Sequence, residues 1–306
     1  MPERLPSPPF RTTFPDVGAL KAMIVERGAW PTVLLRVAAR DEYRPDIPGP
    51  LSLFANRRGT SVVRVGGVAT RVPEGAYTLT NSGDRYTLEI ERPAETLNLH
   101  VGGGVAEAVY HALVTPDDRL LDAPEASGMP ARGPLRFVPR LHARDAAFEL
   151  HYARLFRVAE GATEALDEAL AVLLRHLLVV HRGVLAEVAR VPAASPAVRA
   201  ELYGRLARAL DLARTDYARP LALDELATAA ALSKYHFLRL FARTFGQTPH
   251  QYVAGLRMEA ARRLLRASVL GVAEVGMAVG YDDPSVFSRT FRRHVGASPV
   301  LFRAAA

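Results

Sequence analysis

The sequence predicts an α+β chain in two parts. A strand-rich region with trailing helices fills residues 1–195, and an all-α domain fills 196–306. Three observations predict this. Sixteen of the 22 prolines and 13 of the 22 glycines fall before residue 140, and neither residue suits a helix interior. Residues 1–195 carry 23 Lys+Arg against 23 Asp+Glu, whereas 196–306 carry 16 against 9, so the whole net charge of +7 sits in the last third. A basic part joined to a neutral one points to a polyanion partner; the plain alternative is a solvated basic face. Finally, residues 221–306 repeat themselves with a period of about 50.

The elements follow in order. Residues 1–15, with proline at 2, 6, 8, 9 and 15, read as a loose arm. Between about 30 and 101, short apolar runs alternate with turn signals. Strands are expected at Val33–Val37, Leu51–Phe54, Ser61–Val65, Val68–Val72, Ala76–Thr80, Tyr86–Ile90 and Thr96–Val101. Gly66-Gly67 marks a hairpin between two of them. Strands at this spacing suggest a small barrel or a sandwich. A short helix over 103–114 and a loop over 115–135 come next. From 143 to 190 the apolar period becomes helical, with a break at Arg157–Ala162 and a stripe of Leu166, Leu170, Leu173, Leu174, Leu177 and Leu178. That stripe serves either as core or as a helix pair shared by two subunits. Pro192–Pro196 is the expected linker. Ser195 then caps a helix that begins at Pro196 and stops before Pro220.

Composition removes several classes of function. Hydrophobic residues at 49% and charged residues at 23% exclude bulk disorder. The lack of cysteine excludes a disulfide scaffold, a thiol nucleophile and a thiolate metal site, and it fits a reducing compartment such as the cytoplasm. The N-terminus shows no apolar run of the kind a secretory signal needs. The most apolar stretch, 165–180, is interrupted by Asp167, Glu168, Arg175 and His176, so no membrane partner is expected.

The repeat carries the functional argument. Phe237-x-Arg239-x-Phe241-x₄-Gly246-x-Thr248-Pro249-x₂-Tyr252 returns 50 residues later as Phe287-x-Arg289-x-Phe291-x₄-Gly296-x-Ser298-Pro299-x₂-Phe302. A short helical segment precedes each copy, at 223–230 and 272–279, and a tight turn follows it. Each copy is therefore a helix-turn-helix. Phe237, Leu240, Phe241 and Phe245 form the inward stripe of the second helix, and Tyr235, Leu238, Arg239 and Ala242 the outward one. In the second copy Phe287, Phe291 and Val295 face inward, while Ser285, Ser288, Arg289 and Arg292 face outward. Arginine at the same outward place in both copies suits bidentate recognition of guanine in a major groove. Thr248 and Ser298 each cap a following helix, and a helix N-terminus also suits a phosphate. The helix that starts at Thr248 runs to about Arg266. Its length of about 27 Å approaches the ~34 Å between successive major-groove faces.

Residues 205–303 resemble the DNA-binding domain of the AraC/XylS family of bacterial transcription regulators. The resemblance rests on Leu226-Ala227, Leu232-Ser233, Phe237–Phe241, Gly246–Pro249, Arg257–Leu265, Gly280–Asp283, Phe287–Arg293, Gly296–Pro299 and Phe302-Arg303. It implies base readers at Tyr235, Leu238 and Arg239, and at Pro284, Ser285 and Arg289. Lys234, Arg243, Thr248, Arg292, Arg293 and Ser298 are the candidate phosphate contacts. Two positions depart from the pattern. Ala231 stands where a turn glycine is common, which predicts a less strained turn. Gly276 sits inside a helix, at an expected cost of roughly 0.5–1 kcal/mol.

The same resemblance implies that the first part is a cupin-like barrel with sensor and dimerisation roles. Trp30 and Tyr77 are the aromatic candidates for the wall of a pocket at its mouth, with core packing as their competing role. A metal enzyme on such a barrel needs converging histidines and a carboxylate. Only His100 lies among the strands, and His176 and His181 are five apart on a helix, so no metal or other cofactor is expected. No phosphate loop, nucleophile elbow or carboxylate pair points to an enzyme. The expected partners are double-stranded DNA, a small-molecule effector, a second copy of the chain and RNA polymerase. The alternative is a small-molecule binding module with constitutive or architectural DNA binding.

Overall fold

The computed structural model describes residues 20, 22, 24–26, 28–114, 135–161 and 164–305. The expected arm over 1–15 and nearly all of the expected loop over 115–135 lie outside them. The chain divides at Leu185/Ala186 into two compact units.

In the first unit, eight strands run from Val33 to Val101: β1 Val33–Ala39, β2 Glu42–Pro48, β3 Leu51–Arg58, β4 Ser61–Val65, β5 Val68–Val72, β6 Ala76–Thr80, β7 Arg85–Ile90 and β8 Ala94–Val101. Helix α1 spans Val105–Val114, and β9 is the short His142–Ala143. Helices α2 Ala146–Gly161 and α3 Glu164–Arg190 follow. The strands form two antiparallel sheets, ordered β1-β8-β3-β6-β9 and β2-β7-β4-β5. The expected barrel is therefore corrected: among the described residues no ladder joins the two sheets into a closed ring. Nearly every turn carries the chain across to the other sheet. Only β4 and β5 stay together, through the Gly66-Gly67 turn, where both residues have positive φ.

The pleat explains the layering. Leu51, Leu53 and Ala55 of β3 point to one face, where they join Phe148, Tyr152 and Leu155 of α2 and Leu170, Leu173 and Leu177 of α3. Phe54 points to the other face and meets Val63, Tyr86 and Leu88 of the second sheet. The five-stranded sheet is thus covered on both faces, which is why its central strands are buried almost without alternation.

The leucine stripe of α3 packs into the core of its own unit, the first of its two expected roles. The α2–α3 break falls later than Arg157, because α2 continues to Gly161. By length and composition, residues 166–190 of α3 suffice to cross a bilayer. The expectation based on a shorter stretch is revised in that respect. The helix nevertheless buries Leu166, Ala169, Leu170, Leu173, Leu174, Leu177 and Leu178 against the sheet.

The second unit contains α4 Pro196–Asp216, α5 Leu223–Ala229, α6 Lys234–Phe245, α7 Pro249–Ala267, α8 Val272–Ala278, α9 Pro284–Val295 and α10 Pro299–Ala304. Ser195 accepts the N–H of Val198 at the head of α4, as its sequence predicts. Leu206 and Leu210 of α4 are buried, as are Leu226 of α5 and Phe237, Leu240 and Phe241 of α6. Phe287 and Phe291 of α9 pack with Val275 of α8, with Val279 just after it, and with Met258, Ala261 and Leu265 of α7.

Candidate nucleic-acid interface

Helices α6 and α9 are built alike. Ser233 caps α6 by accepting the N–H of His236. Asp283 caps α9 by accepting the N–H groups of Ser285 and Val286, with Pro284 at its first position. Both helices end in a left-handed glycine, Gly246 and Gly296. With ends set by capping and one face set by phenylalanines, the opposite face of each helix is left outward.

That outward face holds the predicted readers. Tyr235 is 75% exposed and Leu238 39%, and Arg239, Pro284, Ser285 and Arg289 are also exposed. Arg239, Arg243, Arg289, Arg292 and Arg293 are exposed and form no ion pair among the described residues. Lys234 differs, because its ammonium lies 2.7 Å from Asp224, so a phosphate there would compete with a carboxylate. Thr248 accepts the N–H of Gln251 in a capping box, and Ser298 accepts that of Leu301. Both hydroxyls are committed to capping. Pro284 has no hydrogen-bonding side chain and Leu238 offers only apolar contact, so among these six residues the hydrogen-bonding groups are on Tyr235, Arg239, Ser285 and Arg289, and only the two arginines carry a bidentate fork.

The two heads are tied through α7, whose 19 residues span about 28 Å. Arg257 of α7 donates to three backbone carbonyls: Tyr217 at 2.7 Å, Gly280 at 2.9 Å and Arg219 at 3.0 Å. It joins the end of α4, the connecting helix and the turn of the second head. Arg219 in turn pairs with Asp216 and Glu225. Sequence reasoning missed the Arg257 clamp, because its acceptors are backbone atoms up to 40 residues away. A groove of about 930 Å³ separates the heads, with Leu238, Gln247, His250, Val286, Thr290 and Arg293 in its lining.

Two departures from the family pattern acquire physical reasons. Ala231 adopts φ 51°, the left-handed region, where its counterpart Gly280 has φ 90°. The expectation of a less strained turn is corrected, since the turn keeps the glycine-like backbone and places an alanine in it. At Gly276 a Cβ would lie 3.1 Å from the ring of Phe287. The missing methyl lets the second helix of the head seat its buried phenylalanine close against α8.

The first unit holds a cavity of about 770 Å³ between its sheets, and Trp30 lines it. Tyr77 is not part of that lining: it is 1% exposed and stacks on Phe148 at 4.2 Å and on His142 at 5.0 Å. Among the described residues no group of three or more His, Asp or Glu is placed to hold a metal ion.

The helix-turn-helix domain family matches residues 226–305. Over 83 residues the chain is 45% identical to the MmsAB operon regulatory protein of Pseudomonas aeruginosa, covering 27% of each protein. Residues 226–305 are an AraC-type helix-turn-helix domain. Within this AraC-type region the chain is also 40% identical over 85 residues to the HTH-type transcriptional regulator CdhR of the same organism, covering 28% of this chain and 25% of that one. A crystal structure of the DNA-binding domain of AdpA with a target DNA shares 33% identity, covering 33% of this chain and 91% of that chain, with a TM-score of 0.32. The chain spans only about a quarter of the length of the curated relatives named here, and the AraC-type domain accounts for the likeness.

Proposed function

We propose that the chain is a sequence-specific DNA-binding transcription regulator of the AraC/XylS type, with a first unit that responds to a small molecule. One observation carries the DNA reading. Two exposed, unpaired arginines, Arg239 and Arg289, occupy matching places on two helices held by one connecting helix. Regulator names among the relatives support it. A second copy of the chain is included, docking where Val179 and Leu185 of α3 remain exposed. The cupin-like role of the first unit rests on its two facing sheets and the cavity between them. Activity in the cytoplasm and an encounter with RNA polymerase follow from a promoter role.

Footprinting on the promoter next to the gene tests the reading. Two protected major-groove segments about one helical turn apart, on one face of the duplex, are expected. Uniform coverage without a boundary would replace it with an architectural role.

A further inference from the structure

The cavity of the first unit has a chemistry of its own. One wall comes from Leu35, Val37 and Phe54, the other from Ile47, Leu88 and Ile90, and Trp30 stands among the lining residues. Its charged groups are already answered. Arg44 bonds Glu42 at 2.7 Å, and the carboxylate of Asp46 is held by Arg85 at 2.5 Å. A charged guest would enter an apolar wall with no counter-ion left for it.

One histidine in this lining keeps a ring nitrogen with no hydrogen-bond partner among the described residues. His100 of β8 lines the cavity and is buried against Trp30, Phe54 and Tyr86, at ring distances of 5.4, 5.8 and 6.4 Å. Its Nδ1 lies 2.9 Å from Ser52 Oγ. That hydroxyl donates its single hydrogen to the carbonyl of Pro50 at 2.9 Å. Ser52 must therefore accept from Nδ1–H, which leaves Nε2 as a bare lone pair. Burial pulls the imidazole down to about 4, so it is neutral near pH 7.

We infer that the cavity takes an uncharged aromatic molecule bearing one hydroxyl or N–H, its ring among Trp30, Phe54 and Tyr86 and its donor on Nε2 of His100. The inference rests on the effector reading above and gives that effector a chemical class. Trp30 is the only tryptophan of the chain, so its emission reports the cavity directly.

The test titrates the full chain with 4-butylphenol, 4-butylanisole and 4-butylbenzoate, following Trp30 fluorescence. The phenol is expected to bind about tenfold more tightly than the ether, which lacks the donor, and than the charged carboxylate. His100→Phe should bring the phenol down to the level of the ether and leave the ether unchanged. Ser52→Ala frees the tautomer and should shrink the phenol-to-ether ratio to below about threefold. Equal affinity for phenol and ether in the unaltered chain, tightest binding of the benzoate, or binding of none of the three would overturn the inference without recourse to a variant. Occupancy of a promoter fragment, measured in the same samples, separates the two levels. Phenol selectivity with unchanged DNA occupancy sinks the effector reading and leaves the site standing. A carboxylate that binds and alters occupancy does the reverse.

Discussion

Replacing Arg257 by Met tests whether one side chain holds the two heads of the AraC-type domain in a fixed relation. Methionine keeps most of the aliphatic stem and removes the three N–H···O=C bonds to Tyr217, Gly280 and Arg219. It also removes the guanidinium that lies 5.3 Å from the Tyr281 ring. A hydrogen bond from a charged donor is worth about 1.5–3 kcal/mol net in isolation. These three share one guanidinium and are only half-buried, so they do not add. A loss of about 2–4 kcal/mol is expected for the second unit. With a urea slope of about 1–3 kcal/mol per molar, that moves its midpoint down by about 1–2 M. The assay is urea unfolding of the full chain with two readouts. Trp30 fluorescence reports the first unit alone. The part of the helical ellipticity change that Trp30 does not share reports the second. The second transition should fall while the first stays. An unmoved second midpoint, or equal movement of both, would refute the clamp.

Arg239→Ala and Arg289→Ala should each cost about 1–3 kcal/mol on the specific site and relax preference only in their own sub-site; equal losses on matched and scrambled DNA would reduce them to electrostatic anchors. Arg243→Ala and Arg293→Ala should weaken binding to all sequences alike and flatten the dependence of log K on log salt. Ala231→Gly should stabilise the second unit by about 0.5–1 kcal/mol, because Ala231 pays for a left-handed backbone; Gly280→Ala should destabilise it, because the new Cβ would fall 2.4 Å from the Ala218 carbonyl oxygen. Both are read as urea midpoints. Below pH 6.5 the unfolded chain gains a proton that folded His100 refuses down to about pH 4. Stability of the first unit should therefore fall with pH by up to ~1.4 kcal/mol per unit. Burial lowers His176 and His181 in the same sense, so His100→Phe should flatten the profile in part.

The second unit was legible because its information is local and repeated. Capping residues, left-handed glycines and a phenylalanine stripe recur at an offset of 50, and each specifies its own turn of helix. The first unit was legible strand by strand but not in its pairing. Seven strands follow from alternation, yet which sheet each joins depends on partners up to 67 residues away. Strand β2 escaped because Pro45 and Pro48 interrupt it; it lies at a sheet edge, where a missing N–H is tolerated. Trp30 reached the cavity and Tyr77 did not, although both are aromatic residues near strands. Tyr77 lies within β6, whose pleat turns it toward the helices, whereas Trp30 precedes β1 and is held by its Nε1–H bond to the Pro48 carbonyl. His100 was visible as the single histidine among the expected strands, but its free lone pair depends on Ser52, 48 residues away.

The connecting helix α7 has a consequence for how such a chain changes length over generations. Each added residue turns everything beyond it by about 100° and lifts it ~1.5 Å. One codon inserted in α7 would swing Arg289 off the face that Arg239 occupies. Two full turns would restore the angle and overshoot the distance. The bend inside each head behaves differently. The two copies already stand 49 residues apart before that bend and 50 after it, and both recognition helices still present the same side. Lineages of this domain should therefore collect insertions in the bends and almost none between Pro249 and Ala267.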